Sequence, residues 1–386
     1  MSHARVSFTR DRRLVVEARA PYVAPVEVAF PEHRYDQRAL VESLKRRWKS
    51  RPQVTSLVER LHASVQVEER RLALPLEEYD RLGADFGASN DAFIRVGTEL
   101  AARAFTGAVA RAGLSLDDVD AVFFTTVTGV AAPTIDARLV NVLGLRPDIR
   151  RTPMFGLGCL GGAAGLARTS DYLAGHPTHV AVLLAVELCS LTLQDDFSVA
   201  NLVASGLFGD AAAAVVLTGS ASPPSRSRER VPPSNASPAM DEQPRARVVD
   251  TRSAFFRGTE RVMGWDIGAS GFKVVLSADV PSIVKLRLPG VVDGFLRDHG
   301  LSRGDVRHWI CHPGGPKVIL AIEESLGLSE SALALTRQSL ASVGNLSSAS
   351  VLDVLGRTQP HALPDDIGLL IAMGPGFCAE LVLLSW

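Results

Sequence analysis

The sequence predicts an α/β fold built from two similar halves, and three observations carry this prediction. Apolar, β-branched runs alternate with stretches of helical periodicity. Several segments of the first half recur in the same order in the second half. The chain has 386 residues, 46% of them hydrophobic and 22% charged, which is enough for two cores or one large fold.

The first helix and strand lie between residues 92 and 129. Apolar residues recur at helical spacing over 92–114, and Gly113 is a helix stop signal. The next segment, DDVDAVFFTTVTG at 117–129, is apolar, β-branched and closed by a glycine. These features predict a helix followed by a buried strand.

The alternation continues to residue 188. Helical spacing predicts helices over 134–145 and 159–175, the second with small residues in its first turns. A short strand and turn at 152–158 and the run HVAVLLAVEL at 179–188 predict two more strands. Strands that are apolar throughout are covered on both faces, so we expect helices on both sides of a largely internal sheet.

Several sequence segments of the first half recur in the second half. The offsets between matching segments are 187, 183 and 186 residues, a consistency that predicts an internal duplication. The matching pairs are 113–129 with 300–315, 139–145 with 322–328, 158–166 with 344–352, and HVAVLLAVE with IGLLIAMGPG at 367–376.

A stretch rich in Pro, Ser and charge, residues 219–247, separates the two halves. It has too few apolar residues to form a packed core. We interpret it as a surface loop between an N-terminal half at 1–218 and a C-terminal half at 248–386.

Charge and cysteine content exclude several classes of function. A net charge of −1 gives no general attraction to nucleic acid or anionic lipid. The N-terminus lacks the apolar run of a signal peptide, and no stretch reaches the ~20 apolar residues of a membrane span, so we expect a cytoplasmic protein. The four cysteines lie far apart without CxxC spacing, which predicts reduced thiols and no metal site.

Cys159 is the first candidate for a nucleophile. It follows a Gly-x-Gly turn and opens a predicted helix, where unpaired N–H groups and the helix dipole would lower the pKa of a thiol. A buried structural cysteine is the alternative on local sequence alone. The duplication favours the functional interpretation, because equivalent positions of related halves face a common site and the repeat sets Asn345 opposite Cys159.

His312 is the candidate base. It is the last residue of the apolar run RHWICH, which predicts a strand, and the turn PGGP follows it. The ends of strands are where α/β folds present catalytic side chains. A lone histidine is more often structural, but His312 lies in a repeated segment, since 300–315 matches 113–129. A thiolate, an imidazole and an amide together could stabilise an oxyanion or enolate beside an acyl thioester.

With these residues, the chain resembles the bacterial type III polyketide synthases of the chalcone and stilbene synthase superfamily. The resemblance implies a thiolase-like fold with a duplicated, five-layered αβαβα architecture. It rests on five motifs in the order of the family: GCLGGAAG around Cys159, LVASGLFGDAAAAVVL around Phe208, HPGGP at 312–316, VGNLSSA at 343–349 and MGPGF at 373–377.

The resemblance implies an acyltransferase that needs no metal or prosthetic group. An acyl-CoA starter would be transferred to Cys159, kept as thiolate by His312. Malonyl-CoA would lose CO2 while His312 and Asn345 stabilise the enolate, which would attack the bound acyl group. A homodimer is expected, and acyl-CoA and malonyl-CoA are the expected partners.

The resemblance also assigns the contacts to CoA. Arg60 matches a CoA-binding arginine of the family, and Lys317, directly after HPGGP, is a second candidate. A charged helix can also be a solvated face only. Two further basic positions of the family are Leu57 and Ser64 here, which weakens that part of the contact.

Phe208 corresponds to the aromatic gatekeeper between the CoA tunnel and the internal cavity. Ala132 occupies the position of a plant methionine that reaches into the partner's cavity, and Val274 replaces a second phenylalanine near the gate. The other residues that the resemblance assigns to the cavity wall are Cys189, Leu191, Thr192, Trp265, Phe272, Ser347 and Pro375.

The smaller residues at the wall favour an aliphatic starter and an alkylpyrone or alkylresorcinol product. A malonyl-primed 1,3,6,8-tetrahydroxynaphthalene synthase is the runner-up, because Cys189 also resembles that group. Two other classes stay open: a ketoacyl-carrier-protein synthase of the third kind, which would carry HQAN where this chain has HPGGP, and a catalytically silent binding protein.

Overall fold

The computed structural model describes residues 20–82, 85–222 and 244–386. Residues 223–243 of the predicted 219–247 loop lie outside this range, and the strand after it already begins at Ala246. The α-helices within the described ranges are α1 Gln37–Arg47, α2 Pro52–Ser64, α3 Leu76–Leu82, α4 Phe86–Arg111, α5 Ile135–Leu143, α6 Gly161–Gly175, α7 Val199–Leu207, α8 Val280–Asp298, α9 Pro316–Leu326, α10 Ala334–Val343 and α11 Ser350–Thr358.

The strands of the same ranges form one large sheet and two small hairpins. They are β1 Tyr22–Val23, β2 Glu27–Ala29, β3 His33–Asp36, β4 Glu69–Leu72, β5 Ala121–Thr126, β6 Arg150–Phe155, β7 Val180–Leu188, β8 Asp210–Thr218, β9 Ala246–Phe255, β10 Met263–Gly268, β11 Gly271–Leu276, β12 His308–Cys311, β13 Ile367–Gly374 and β14 Cys378–Ser385.

The large sheet has ten strands in the order β12-β13-β14-β9-β1-β8-β7-β5-β6, with β2 also paired to β8. The first half contributes β6, β5 and β7 in parallel and β8 antiparallel to β7. The second half contributes β12 parallel to β13, with β14 antiparallel to β13. The described sheet is therefore continuous from one half to the other through β1 and β9.

Three hydrophobic clusters arrange this sheet and its helices in five layers. In the first half, Phe123 lies in the central cluster while Val122 and Phe124 pack on α4 and α5. The central cluster contains α6 and α11, which lie between the part of the sheet from the first half of the chain and the part from the second half, here called the two half-sheets. The opposite face of the second half-sheet packs on α8 and α9. The order α, β, α, β, α confirms the predicted thiolase-like architecture.

The duplication is visible in local geometry as well as in sequence. Ser115 and Asp118 form a capping box before β5, and Ser302 and Asp305 form the same box before β12. The helices that follow, α5 and α9, both end at a left-handed glycine. β6 lacks a described counterpart in the second half, where α10 follows α9.

Predicted and observed boundaries differ mainly at the ends of elements. Helix α4 begins at Phe86 because Asp85 caps it, six residues before the predicted start at 92. The strand predicted over 117–129 is limited to β5, since a 3-10 turn precedes it and a loop follows it. Cys159 lies in a 3-10 turn directly before α6 instead of inside the helix.

Two small units cover the sheet edge that carries the site. The hairpin β3–β4 packs with α1 and α10, and the hairpin β10–β11 contacts α7. No helix in the described ranges is long and apolar enough to span a bilayer. Nor do three or more His, Cys, Asp or Glu residues of these ranges lie together in a way that could hold a metal ion.

Candidate active site

The site forms where the starts of α6 and α11 meet. Gly158, with φ of 53°, turns the chain into the Cys159 turn, and Gly344, with φ of 73°, precedes Asn345. Gly162 lies so close to the carbonyl oxygen of Ser348 that a Cβ at this position would overlap it. The small residues after Cys159 thus allow the two helix starts to pack directly on each other.

The repeat brings these regions together but does not superimpose them residue by residue. The sequence offset between Gly158 and Gly344 is 186, whereas the offset between the first residues of α6 and α11 is 189. Cys159 lies inside its 3-10 turn, and Asn345 lies two residues before the corresponding turn at 347–349. The segments around Cys159 and Asn345 are therefore equivalent as regions, but the two residues do not occupy the same position relative to the turn and the helix that follow.

Cys159, His312 and Asn345 line one cavity of about 40 Å³, which we call the catalytic cavity. All three side chains are buried. The other predicted residues that line this cavity are Phe208, Cys189, Trp265, Ser347 and Pro375, together with Val274.

The environment of Cys159 favours the neutral thiol. Burial, together with the negative charge of Glu187, raises the pKa of Cys159 to about 12. Hydrogen bonds with the side chains of Ser347 and Asn345 lower this pKa but do not offset burial. Burial therefore opposes the thiolate that the helix start was expected to favour at Cys159.

The same burial opposes the charged form of His312. It follows β12 and its backbone N–H donates to Ile371 O at 2.8 Å, which anchors the segment on β13. Burial lowers the pKa of His312 to about 3. Neither ring nitrogen has a hydrogen-bond partner among the described residues, so both are available to a substrate.

Asn345 is oriented by its own loop. Its Oδ1 accepts from the backbone N–H of Ser347 at 2.8 Å and from Ser350 Oγ at 3.3 Å. With the oxygen held in this way, the amide NH2 is left to face the thiol and the cavity. Ser347 is at φ of 51°, a left-handed conformation that is uncommon for a residue with a Cβ.

Sequence reasoning missed a buried carboxylate at the end of β7. Glu187 is fully buried, and its oxygens accept from the hydroxyls of Thr128 at 2.9 Å and of Ser348, and from Val127 N at 3.1 Å. Burial raises the pKa of Glu187 to about 7, and these hydrogen bonds only partly oppose it. A single acidic residue inside an otherwise apolar run, VAVLLAVEL, is the signal that could have identified it.

A second cavity of about 80 Å³ lies behind the wall of the catalytic cavity. Both cavities share Cys189, Phe208, Trp265 and Val274, which form a partition between them. Beyond the partition, the second cavity is lined by side chains of α1, α3 and α7, with Arg70 and Tyr79 among its polar groups.

Four predicted wall residues lie outside the lining of the catalytic cavity. Thr192 faces the second cavity and a small cleft near Asn90, and Leu191 and Phe272 line only that cleft. Phe272 reaches the partition indirectly, through an edge-on contact with Trp265 at 6.1 Å between ring centroids. Ala132 is exposed on the loop after β5. Their positions follow from the tertiary packing of loops that the sequence pattern does not specify.

The two CoA candidates are both exposed. Arg60 lies on the outer face of α2, and Lys317 lies in the first turn of α9, five residues after His312. Neither lines a described cavity. Their exposure is compatible with a contact to the phosphates of a thioester substrate outside the cavity.

The arrangement is suited to acyl-transfer chemistry. A buried thiol, an imidazole with two unpartnered nitrogens and an oriented amide converge on one largely apolar cavity, where hydrogen bonds to a developing oxyanion or enolate are strong. The thiol can carry an acyl group while the imidazole and amide bind the oxygen of a second thioester.

The chain matches known families over most of its length. Residues 10–222 match the family model of the N-terminal domain of chalcone and stilbene synthases, and residues 247–385 match the model of the C-terminal domain.

Individual relatives match almost as completely. A protein named 1,3,6,8-tetrahydroxynaphthalene synthase, from Streptomyces peucetius subsp. caesius, is 49% identical over 380 residues, which are 98% of this chain and 96% of that protein. A putative chalcone synthase from Bacillus subtilis (strain 168) is 36% identical over 329 residues, 83% of this chain and 86% of that protein. The crystal structure of 1,3,6,8-tetrahydroxynaphthalene synthase from Streptomyces coelicolor A3(2), a bacterial type III polyketide synthase, aligns with a TM-score of 0.83 at 28% identity, covering 95% of this chain and 99% of that one.

Proposed function

The chain belongs to the chalcone and stilbene synthase family as an acyltransferase of the type III polyketide synthase class, and on this basis we propose that it makes 1,3,6,8-tetrahydroxynaphthalene from malonyl-CoA alone. The observation that carries the proposal is the 49% identity to a synthase of that name over 98% of the chain. The ten carbons of a naphthalene require five malonyl units that each lose one CO2.

The catalytic cavity supports a small starter. Trp265 and Phe208 lie between this cavity and the second cavity. A malonyl starter adds little volume to the site, whereas a fatty acyl chain would have to pass the partition. The proposal therefore departs from the aliphatic starter that the sequence favoured.

In the loading step, Cys159 Sγ attacks the carbonyl carbon of the starter thioester. Burial raises the pKa of the thiol and lowers that of the imidazole, so in the proposed step His312 takes the thiol proton during the attack and returns it to the departing CoA sulfur. The acyl group is then bound to Cys159 as a thioester.

In the extension step, malonyl-CoA loses CO2 and leaves a thioester enolate. The amide of Asn345, oriented by Ser347 and Ser350, and the imidazole of His312 stabilise the enolate oxygen. The enolate carbon attacks the acyl group and expels the thiolate of Cys159. The carbanion comes from decarboxylation, so the proposal includes no metal or prosthetic group.

The proposed partners are CoA thioesters and a second copy of the chain. Arg60 and Lys317 are the proposed contacts for CoA phosphates, and their exposure supports this role. The proposed location is the cytoplasm, because the reaction needs a reduced thiol and all four cysteines of the chain are unpaired.

The homodimer is proposed through the edge strand β6. The two edges of the described sheet differ, since most of β12 is buried whereas most residues of β6 are exposed. Phe155 at the end of β6 is 50% exposed, and Val142 on the neighbouring α5 is 57% exposed. An open edge with apolar neighbours is a template for pairing with the same edge of a second copy.

An aliphatic starter is the second candidate, and the second cavity favours it. That cavity is lined largely by apolar side chains and shares the partition with the catalytic cavity, so a displaced Trp265 would give a long chain additional room.

The two candidates are separated by product analysis. The purified enzyme is incubated with labelled malonyl-CoA alone and then with a series of fatty acyl-CoAs, and the products are identified by mass spectrometry. We expect tetrahydroxynaphthalene from malonyl-CoA alone, at a rate that added acyl-CoA does not increase. Alkylpyrones as the main product, with no naphthol from malonyl-CoA alone, would overturn the proposal.

A further inference from the structure

We propose that Arg70 is a positioning residue that holds the Phe208 gate in place relative to Asn345 and so couples decarboxylation to condensation. The inference rests on the proposed function for its kinetic consequence, and on geometry alone for the position of the gate.

Arg70 is a buried cation with few partners. Its side chain lies on β4 and the residue is 4% exposed. A guanidinium has five N–H donors, but the only hydrogen bond of this one within the described ranges runs from Nη1 to the carbonyl oxygen of Phe208, at 2.7 Å. Burying an arginine with a single hydrogen bond is unfavourable even though the charge of Asp210 offsets part of the cost, so this bond is expected to have a function beyond folding.

The alkyl part of Arg70 packs on the loop that carries Asn345. Gly344 has φ of 73°, and a Cβ added there would lie 3.2 Å from Arg70 Cδ and 2.7 Å from Leu207 O. Arg70 thus contacts both segments at once: its nitrogen binds the Phe208 carbonyl, and its carbon chain packs against the residue before Asn345.

These two segments are also joined to each other. Phe208 and Asn345 form an isolated parallel bridge, in which Gly209 N donates to Asn345 O at 2.9 Å and Asn345 N donates to Leu207 O at 2.8 Å. The carbonyl of Phe208 takes no part in these two bonds and has Arg70 as its donor. Arg70 therefore completes the connection between gate and amide.

Asp210 supplies the opposing charge and fixes the other side of the gate. Its negative charge stabilises the guanidinium of Arg70. Its oxygens accept from Ala73 N at 2.7 Å, from Ser190 N at 2.8 Å and from the hydroxyl of Ser190. Asp210 thereby ties the start of β8 to the end of β4 and to the turn that carries Cys189.

Loss of Arg70 should affect the gate more than the amide. The side chain of Asn345 keeps its bonds to Ser347 and Ser350, which do not involve Arg70. Enolate formation needs the amide of Asn345 and His312. Condensation also requires that the enolate carbon reach the acyl group on Cys159, and this approach passes the ring of Phe208. A small displacement of the gate is expected to slow the second step selectively.

The kinetic test compares Arg70→Met with wild type, and uses Arg71→Met as the control because Arg71 is the half-buried neighbour on the opposite face of β4. With labelled malonyl-CoA, released CO2 and polyketide are both measured in one incubation. For Arg70→Met we expect polyketide formed per CO2 to fall about 10-fold, with decarboxylation within about 3-fold of wild type. Arg70→Lys, which keeps a cation and one donor toward Phe208 O, should recover part of the ratio.

A second readout does not depend on the reaction. Alkylation of Cys159 by iodoacetamide is followed by mass spectrometry, with fully buried Cys311 as an internal control for unfolding. We expect Arg70→Met to label Cys159 several-fold faster and Cys311 no faster. If wild type converts no malonyl-CoA, the proposed function fails, and labelling alone still decides the role of Arg70.

Two results would overturn the inference. One is an unchanged ratio of polyketide to CO2 with unchanged labelling of Cys159. The other is an equal loss of both steps with faster labelling of Cys311, which indicates a role in stability only. If Arg70→Met does not fold, the same two measurements on Arg70→Lys decide between these outcomes.

Discussion

At the scale of single residues, burial opposes the charged forms of the thiol and the imidazole in the site. Cys159 has a raised pKa and His312 a lowered one, and both shifts have desolvation as their first cause. A resident ion pair would place two charges in a buried, largely apolar cavity, whereas transfer of the proton during attack produces charge only where a thioester can accept it. The structure thus favours His312 as a base that acts with the substrate in place.

This division of labour predicts different effects for the two residues. Cys159→Ala removes the acyl carrier, so we expect condensation to be lost while some decarboxylation of malonyl-CoA persists. His312→Ala should lower decarboxylation by about 10²- to 10⁴-fold, because it removes a stabiliser of the enolate. Release of labelled CO2 and formation of polyketide are measured in parallel. Complete loss of both activities in Cys159→Ala would show that the assignment is wrong.

The raised pKa of Glu187 predicts how the free energy of unfolding depends on pH. Its pKa of about 7 in the folded chain lies above the ordinary value of 4.5, so between these values the folded state binds more protons than the unfolded state. Folding stability contributed by Glu187 therefore falls as pH rises from 4.5 to 7. Relative to Glu187→Gln, wild type should gain about 2 kcal/mol when the pH is lowered from 7.5 to 5.5.

Urea unfolding of both proteins at the two pH values measures this difference. The comparison with the Gln variant removes the contributions of the other titrating groups, including His62 and His312, whose lowered pKa values act in the opposite direction. The same pH dependence in the two proteins would contradict the raised pKa of Glu187.

At the scale of elements, the contact between the starts of α6 and α11 positions the thiol against the amide. The turn before α6 carries Cys159, and the loop before α11 carries Asn345. The contact depends on glycines, since a Cβ at Gly162 would overlap Ser348 O and lie 2.8 Å from Val351. The chemistry of the site therefore depends on the distance between two helix ends.

Gly162→Ala tests this dependence. The added methyl must push the helix ends apart, and we expect a loss of about 1–3 kcal/mol in stability with a marked loss of condensation. Gly175→Ala is the matched control, because Gly175 ends the same helix and nothing lies within 4 Å of its Cβ position. Thermal unfolding and product formation are measured for both. Equal behaviour of the two variants would mean that the close contact does not position the site.

Sequence patterns identified these elements better than their ends. The buried strands β5 and β7 and the helices α5 and α6 lie where periodicity and β-branched runs placed them. The start of α4 was misplaced because Asp85, a local capping residue, decides it. The turn at Cys159 was assigned to a helix because a 3-10 turn and an α-helix share the same small, apolar residues.

At the scale of the whole molecule, the two halves share a central helical layer. The cluster that contains α6 and α11 receives side chains from both half-sheets, including Leu183 of the first and Leu370 of the second. Burial of apolar area in this layer is the main stabilising contribution that joins the halves. The continuous sheet through β1 and β9 adds backbone hydrogen bonds to the same connection.

The proposed dimer can be tested at this scale. Phe155→Lys places a charge at the open end of β6, and we expect it to shift the protein from dimer to monomer in sedimentation velocity. Leu286→Lys is the control, since Leu286 is 73% exposed on α8, on the far side of the second half-sheet. A wild-type monomer at micromolar concentration, or a Phe155→Lys variant that remains dimeric, would contradict the edge-strand dimer.

Local features of the sequence were enough to predict the α/β class, the duplication and the three residues that line the catalytic cavity, because periodicity, repeated segments and chemically distinctive side chains are properties of short stretches of the chain. Only the packed layers show that burial raises the pKa of Cys159, that Glu187 accepts from Thr128 and Ser348, that Arg70 donates to the Phe208 carbonyl and that Trp265 forms part of the partition. Each of these depends on how far a group is removed from water and on which distant segment faces it. Desolvation and long-range contacts arise only when the layers pack, and although the single acidic residue in VAVLLAVEL marks Glu187, the sequence pattern does not specify its partners.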